Sequence, residues 1–144
     1  MGGVRNEVYI HVVWATWNRE PLLTADVRPR VLAAIADDCR ELGVEVMALN
    51  AMAEHVHLLV RLPTTVTVAK LVQQVKGSSS HLADHEVPGV TWFKWQGYYA
   101  AFSVATPELP TVQRYIEHQA EHHDAGLDLA WEPPPAPLPS PRVP

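Results

Sequence analysis

The chain has 144 residues, 47% of them hydrophobic, and sets 11 Lys and Arg against 16 Asp and Glu for a formal net charge of −5. This length and apolar content predict one globular domain with its own core and exclude a disordered chain; the acid excess argues against a broad basic surface for non-specific nucleic-acid binding, while leaving room for a local basic groove. No apolar run reaches the roughly 18 residues of a membrane span, the first residues form no signal core, and the single cysteine, Cys39, excludes an intrachain disulfide and a multi-thiolate metal site, so a cytoplasmic protein is expected.

Val8 to Ala15 is β-branched and aromatic and predicts a first strand. Residues 18–24 connect it to a helix over Asp26 to Leu42, where Val27, Val31, Ile35, Cys39 and Leu42 form one apolar stripe. Cys39 lies in that stripe and reads as a small core residue. Gly43 suits the C-terminal cap. Val44 to Asn50 and His55 to Leu62 predict two strands joined by a short link, as in a hairpin. Thr67 is placed to cap a second helix whose apolar positions are Val68, Leu71, Val72 and Val75. That helix is expected to run through Gly77 and the serines Ser78, Ser79 and Ser80 towards Leu82. After Pro88 and Gly89, Trp92 to Ala105 predicts another strand centred on Tyr99 to Val104. Pro110 fits the first turn of a last helix, from about Thr111 to Ala125.

The order β-α-β-β-α-β followed by a helix predicts an α+β protein with a ferredoxin-like split βαβ core. Its antiparallel sheet would carry helices on one face, with an added C-terminal helix bearing Tyr115. Residues 1–132 would form this single domain. Residues 133–144 contain seven prolines, which forbid a helix or an interior strand and predict an extended, mobile tail.

Chemistry concentrates at two places. In Glu54-His55-Val56-His57-Leu58-Leu59-Val60, strand alternation puts His55 and His57 on one face and Val56, Leu58 and Val60 on the other. In the last helix, Tyr115 and Gln119 are one turn apart and project together. Two imidazoles, an amide oxygen and a phenol suit a divalent metal with a nucleophile beside it. By ligand softness this donor set accepts manganese, cobalt or zinc at least as well as magnesium. Each half alone also has a plain reading. The histidines could be ordinary strand residues, and Tyr115 and Gln119 a packing aromatic and a surface amide.

Further segments in a fixed order carry a resemblance. They are Val12-Val13-Trp14-Ala15-Thr16 with Asn18-Arg19-Glu20-Pro21, then the histidine segment, then Lys70-Leu71-Val72 with Lys76-Gly77-Ser78-Ser79-Ser80. Trp95-Gln96-Gly97-Tyr98 with Ala101-Phe102-Ser103-Val104 follows, and last comes Tyr115-Ile116-Glu117-His118-Gln119 with His122-His123. Over roughly residues 8–123 the chain resembles the single-tyrosine HUH transposases of small bacterial insertion sequences, the "insertion sequence two hundred" type, and their REP-associated relatives. The resemblance implies a homodimer with a divalent cation, Mg2+ or Mn2+, that cleaves and rejoins single-stranded DNA at hairpin-bearing element ends. His55, His57 and Gln119 would hold the metal. Tyr115 would be the nucleophile, forming a covalent 5′-phosphotyrosine and leaving a free 3′-hydroxyl. A tyrosine ester keeps the energy of the cleaved bond, so a 3′-hydroxyl can later reverse the step and rejoin strands.

For DNA contact the sequence offers Arg61, Lys70, Lys76 and Arg5, with the hydroxyls of Ser78 to Ser80 available to phosphates; a solvated helix face is the plainer reading of each lysine. Trp92 and Trp95, beside Lys94, are candidates for stacking on bases, whereas Trp14 reads as core. Glu54 and His122 could support the metal ligands from behind, or lie in solvent. His81 and His85 read as a solvated helix face. Unlike most of the family the chain is acidic, and Asp124-Ala125-Gly126-Leu127-Asp128 replaces the basic and aromatic continuation of many relatives. Two other functions remain open on the sequence: a domesticated hairpin-binding or nicking protein without mobility, and a non-catalytic metal-binding ferredoxin-like module.

Overall fold

A computed structural model describes residues 3–119 of the chain. Four strands form its sheet: β1 (Tyr9–Ala15), β2 (Glu45–Ala51), β3 (His55–Arg61) and β4 (Ala100–Val104). Three helices accompany them: α1 (Val27–Glu41), α2 (Val68–His85) and α3 (Leu109–Glu117). The strand order is β2-β3-β1-β4 and every neighbouring pair is antiparallel. This is the expected ferredoxin-like sheet.

Period-two alternation decides which residues meet which layer. Ile10, Val12 and Trp14 of β1, with Val56, Leu58 and Val60 of β3, pack into one core with α1 and α2. The opposite face carries a smaller core of Ala48, Leu59, Val104, Leu109, Val112, Tyr115 and Ile116, where α3 lies on the sheet. The two helices of the βαβ units therefore share one face, and the added C-terminal helix covers the other.

Helix α1 buries the stripe Val27, Val31, Ile35 and Cys39. Burial, and then the Asp38 carboxylate, push the Cys39 thiol up to about 11, consistent with a protonated core side chain. Gly43 ends the turn with φ +72°, a left-handed value that glycine adopts without strain. At the start of α2, Thr67 Oγ1 accepts a hydrogen bond from the Lys70 N–H at 3.1 Å, as its capping role requires. The three serines inside α2 spend their hydroxyls on the protein. Ser78 donates to Asp38 of α1, Ser79 to the Val75 carbonyl, and Ser80 to the Gly77 carbonyl at 3.2 Å.

Two expected boundaries move. The last strand is shorter than the expected Trp92 to Ala105, because residues before Ala100 pair elsewhere. Trp95 makes only an isolated bridge to Thr16, and the Lys76 ammonium takes the Gln96 and Tyr98 carbonyls at 2.7 and 3.4 Å. Helix α3 begins early, with Pro110 in its first turn, and ends at a His118 cap with φ −106° and ψ 31°. The expected continuation to Ala125 and the proline-rich tail lie outside the described residues. Among the described residues no helix is long and apolar enough to cross a membrane.

Candidate active site

Three buried histidines, His11, His55 and His57, lie on the sheet face that α3 covers, and Gln119 is buried just past that helix. His11, His55, His57 and Gln119 all have 0% exposure. Burying such groups opposes folding unless each finds a partner, so their concentration on one face needs a reason.

Strand pairing sets the histidines. His55 lies opposite Ala15, and His57 opposite Val13 on β1 and Asn50 on β2. Their rings stand edge to face with centroids 5.1 Å apart. Each ring is held at Nδ1: that of His55 by Glu54 Oε1 at 3.0 Å, that of His57 by His11 Nε2 at 2.8 Å. Metal-bound histidines are held in this way, with one nitrogen on an outer partner and the other on the ion. Nε2 is therefore the nitrogen either ring would offer.

Helix α3 brings the phenol to this face. Leu109, Val112 and Ile116 bury its apolar side. Gln113 Nε2 donates to the Met47 carbonyl at 3.1 Å, and Asn50 Nδ2 donates to the Ile116 carbonyl at 2.9 Å, pinning α3 to β2. Tyr115 then sits edge-on to His57 of its own chain, with centroids 5.6 Å apart and 3% exposure. Gln119 follows just past the α3 cap and is fully buried. The chain turns at His118, so the simple one-turn rule of a continuous helix is not what places it.

The donor set fits a divalent ion. Two neutral imidazoles and an amide oxygen suit a borderline to hard cation. Among the described residues no group of three or more His, Cys, Asp and Glu could hold a metal. Gln119, the third residue of the expected donor set, is buried just past the end of α3.

Glu54 does more than touch His55. Its Oε1 also receives Arg19 at 3.4 Å, so Glu54 links Arg19 to His55. Arg19 and Asn18 both have left-handed backbone, φ 52° and 50°. Such strain in non-glycine residues persists only where surroundings enforce it. Here Asn18 N–H donates to Gln96 Oε1 at 3.0 Å, and Lys94 lies 4.2 Å from the Trp17 ring centroid.

Neither His11 nor Arg19 carries a site signal of its own in the sequence. His11 could be found only by combining alternation in β1 with the β1–β3 register. Arg19 had no local signal beyond its place in the Asn18-Arg19-Glu20-Pro21 segment.

The expected DNA contacts do not gather at this centre. Arg61 lies at the far end of β3, paired with Glu45 at 2.9 Å, and Arg5 pairs with Glu7 at 3.0 Å. Lys70 is exposed in the first turn of α2, the helix on the other side of the sheet. Lys76 is half-buried with its ammonium on loop carbonyls, and burial lowers its pKa. The stacking expectation for Trp95 needs correction. Trp95 is 5% exposed, packs edge-on against Trp14 and Phe93, and donates Nε1–H to Ser79 Oγ at 3.0 Å. A ring so enclosed has no face for a base; Trp92, 46% exposed, has one. His122 lies outside the described residues.

The chain is similar in sequence and in fold to known proteins. The family model "Transposase IS200 like" matches residues 4–119. The ISDra2 transposase TnpA of Deinococcus radiodurans is 25% identical over 114 residues, covering 76% of this chain and 81% of that protein. The transposase for insertion sequence element IS200 of Salmonella typhimurium is 27% identical over 127 residues, covering 83% and 82%. A solved transposase candidate from Deinococcus radiodurans superposes with a TM-score of 0.63 at 26% identity, over 83% of this chain and 95% of that one. A solved REP-associated tyrosine transposase gives a TM-score of 0.65 at 20% identity, over 85% and 74%, a likeness of fold. With a family match across nearly all of the described residues, the chain belongs to the IS200-like transposase family.

Proposed function

We propose that this transposase cleaves and rejoins single-stranded DNA through a 5′-phosphotyrosine at Tyr115, with Mg2+ or Mn2+ held by His55, His57 and Gln119. The observation that carries the reading is Tyr115 edge-on to His57, which is itself held at Nδ1 by His11. A bound divalent ion would supply Lewis-acid withdrawal of charge from a non-bridging phosphate oxygen. The remaining work falls to the protein. His55 and His57 present Nε2 from a rigid central strand, so little reorganisation is needed when the substrate arrives. Tyr115 Oη forms a bond to phosphorus as the bond to the 3′-oxygen breaks. The phenolic proton leaves as the ester forms, and the departing oxygen ends as a 3′-hydroxyl. One phosphate ester replaces another, so the step reverses when a 3′-hydroxyl attacks.

The proposed substrate is hairpin-bearing single-stranded DNA at element ends. The REP-associated relative of like fold is described as bound to a REP hairpin. Tyr115 works beside the histidines of its own chain in this reading, and a homodimer is the proposed assembly.

Labelled single-stranded oligonucleotides tiled across both flanks of the gene, incubated with the protein and Mn2+ or Mg2+, test the proposal on a denaturing gel. A metal-dependent band that survives denaturation and disappears in Tyr115→Phe is expected. Tight hairpin binding without any adduct would favour a domesticated binder. Neither binding nor adduct would leave only a metal-binding module.

A further inference from the structure

We infer that His11 is a positioning residue that fixes the tautomer of His57 and so makes its Nε2 available to the metal; this rests on the metal-site reading above. His11 sits on the central strand β1, between β3 and β4, opposite Leu59 on one side and Phe102 on the other. Its ring stacks on His57 at 5.0 Å with 28° between planes, and Phe102 lies 5.9 Å away. It is fully buried, and its Nε2 is 2.8 Å from His57 Nδ1.

Packing does not account for an imidazole here. Phenylalanine would fill the same slot between two aromatic rings without burying two nitrogens. The chemistry of the contact does account for it. A neutral imidazole carries one proton, and the nitrogen opposite holds the lone pair. If the shared proton belongs to His57 Nδ1, then His57 Nε2 has its lone pair turned towards the metal position, and His11 accepts. If His11 Nε2 donated instead, the His57 proton would sit on Nε2 and block coordination. Only an acceptor at the His11 position selects the useful form. Glu54 serves His55 the same way, because a carboxylate always accepts. With His11 in its accepting tautomer, as inferred, the two ligands are set by two different acceptors, one from the strand end and one from the neighbouring strand.

The test measures Mn2+ affinity of the full chain by calorimetry, for wild type, His11→Phe and His11→Gln, with an unfolding midpoint recorded for each without metal. Phenylalanine keeps the ring and removes the acceptor. Glutamine restores an acceptor near the imidazole Nε2 but cannot stack. His11→Phe is expected to lose about 10- to 100-fold in Mn2+ affinity while its metal-free midpoint holds, and His11→Gln is expected to recover most of the loss. Wild type that binds Mn2+ while His11→Phe binds it equally well overturns the inference alone. Wild type that binds no Mn2+ overturns the metal reading and the inference with it. Should His11→Phe fail to fold, long-range proton–nitrogen NMR of the wild type decides. A proton on His57 Nδ1 supports the inference, and one on Nε2 overturns it.

Discussion

The two faces of one sheet are built from the same two strands and do opposite work. Towards α1 and α2, β1 and β3 offer Ile10, Val12, Trp14, Val56, Leu58 and Val60, an apolar layer. Towards α3 they offer His11, His55 and His57, equally buried but polar, beside the smaller apolar core around Leu59. A leucine gains free energy by leaving water, whereas an imidazole must first recover its hydrogen bonds. The first face therefore holds the fold together, and the second uses that stability to keep costly groups in place. Because neighbouring residues point to opposite faces, the two jobs are separable by single substitutions.

The largest effect should come from the smallest chemical change. Tyr115→Phe removes one oxygen; covalent adduct should vanish on a denaturing gel, while stability moves by no more than about 1.5 kcal/mol, the worth of a typical hydrogen bond. Next comes His57→Ala, which removes a proposed ligand. Mn2+ affinity measured by calorimetry should fall by more than the roughly 10- to 100-fold expected for losing an outer partner. Leu58→Ala, one residue along and on the other face, should invert that pattern. Urea unfolding should show a loss of about 2–5 kcal/mol, with adduct yield per folded molecule unchanged. If His57→Ala and Leu58→Ala gave the same profile, the division between the faces would fail.

Smaller effects should lie at the edge of the site. Arg19→Ala removes a partly exposed partner of Glu54, and such pairs are worth less than about 1 kcal/mol. Mn2+ affinity should drop within about fivefold, the equivalent of that energy. Lys76 gives a pH signature. Its folded pKa lies below 10.5 because burial disfavours the charged ammonium. The unfolded state therefore binds more protons between the folded value and 10.5, and this residue's contribution to stability rises with pH across that window. Lys76→Met should flatten the rise in a pH series of melting curves.

Much of this was legible in the sequence because it rests on local periodicity. The stripe of α1, the cap at Thr67, the hairpin of β2 and β3 and the shared face of His55 and His57 all follow from spacing within one element. What failed depends on distant partners. Trp95 sits in a loop-rich, polar stretch, and nothing local says that α2 and β1 enclose it. The three serines of α2 looked available until Asp38 and the helix carbonyls took their hydroxyls. His11 acquires its meaning only from a strand forty-six residues away in sequence.

The most direct measurement is mass spectrometry of the protease-digested adduct formed on an oligonucleotide from the gene's own flank. Nucleotide mass on the peptide containing Tyr115, joined through a 5′-phosphate and dependent on Mn2+ or Mg2+, is the predicted result. An adduct on any other residue, or one that persists in Tyr115→Phe, would contradict the assignment of this face as a metal and tyrosine centre.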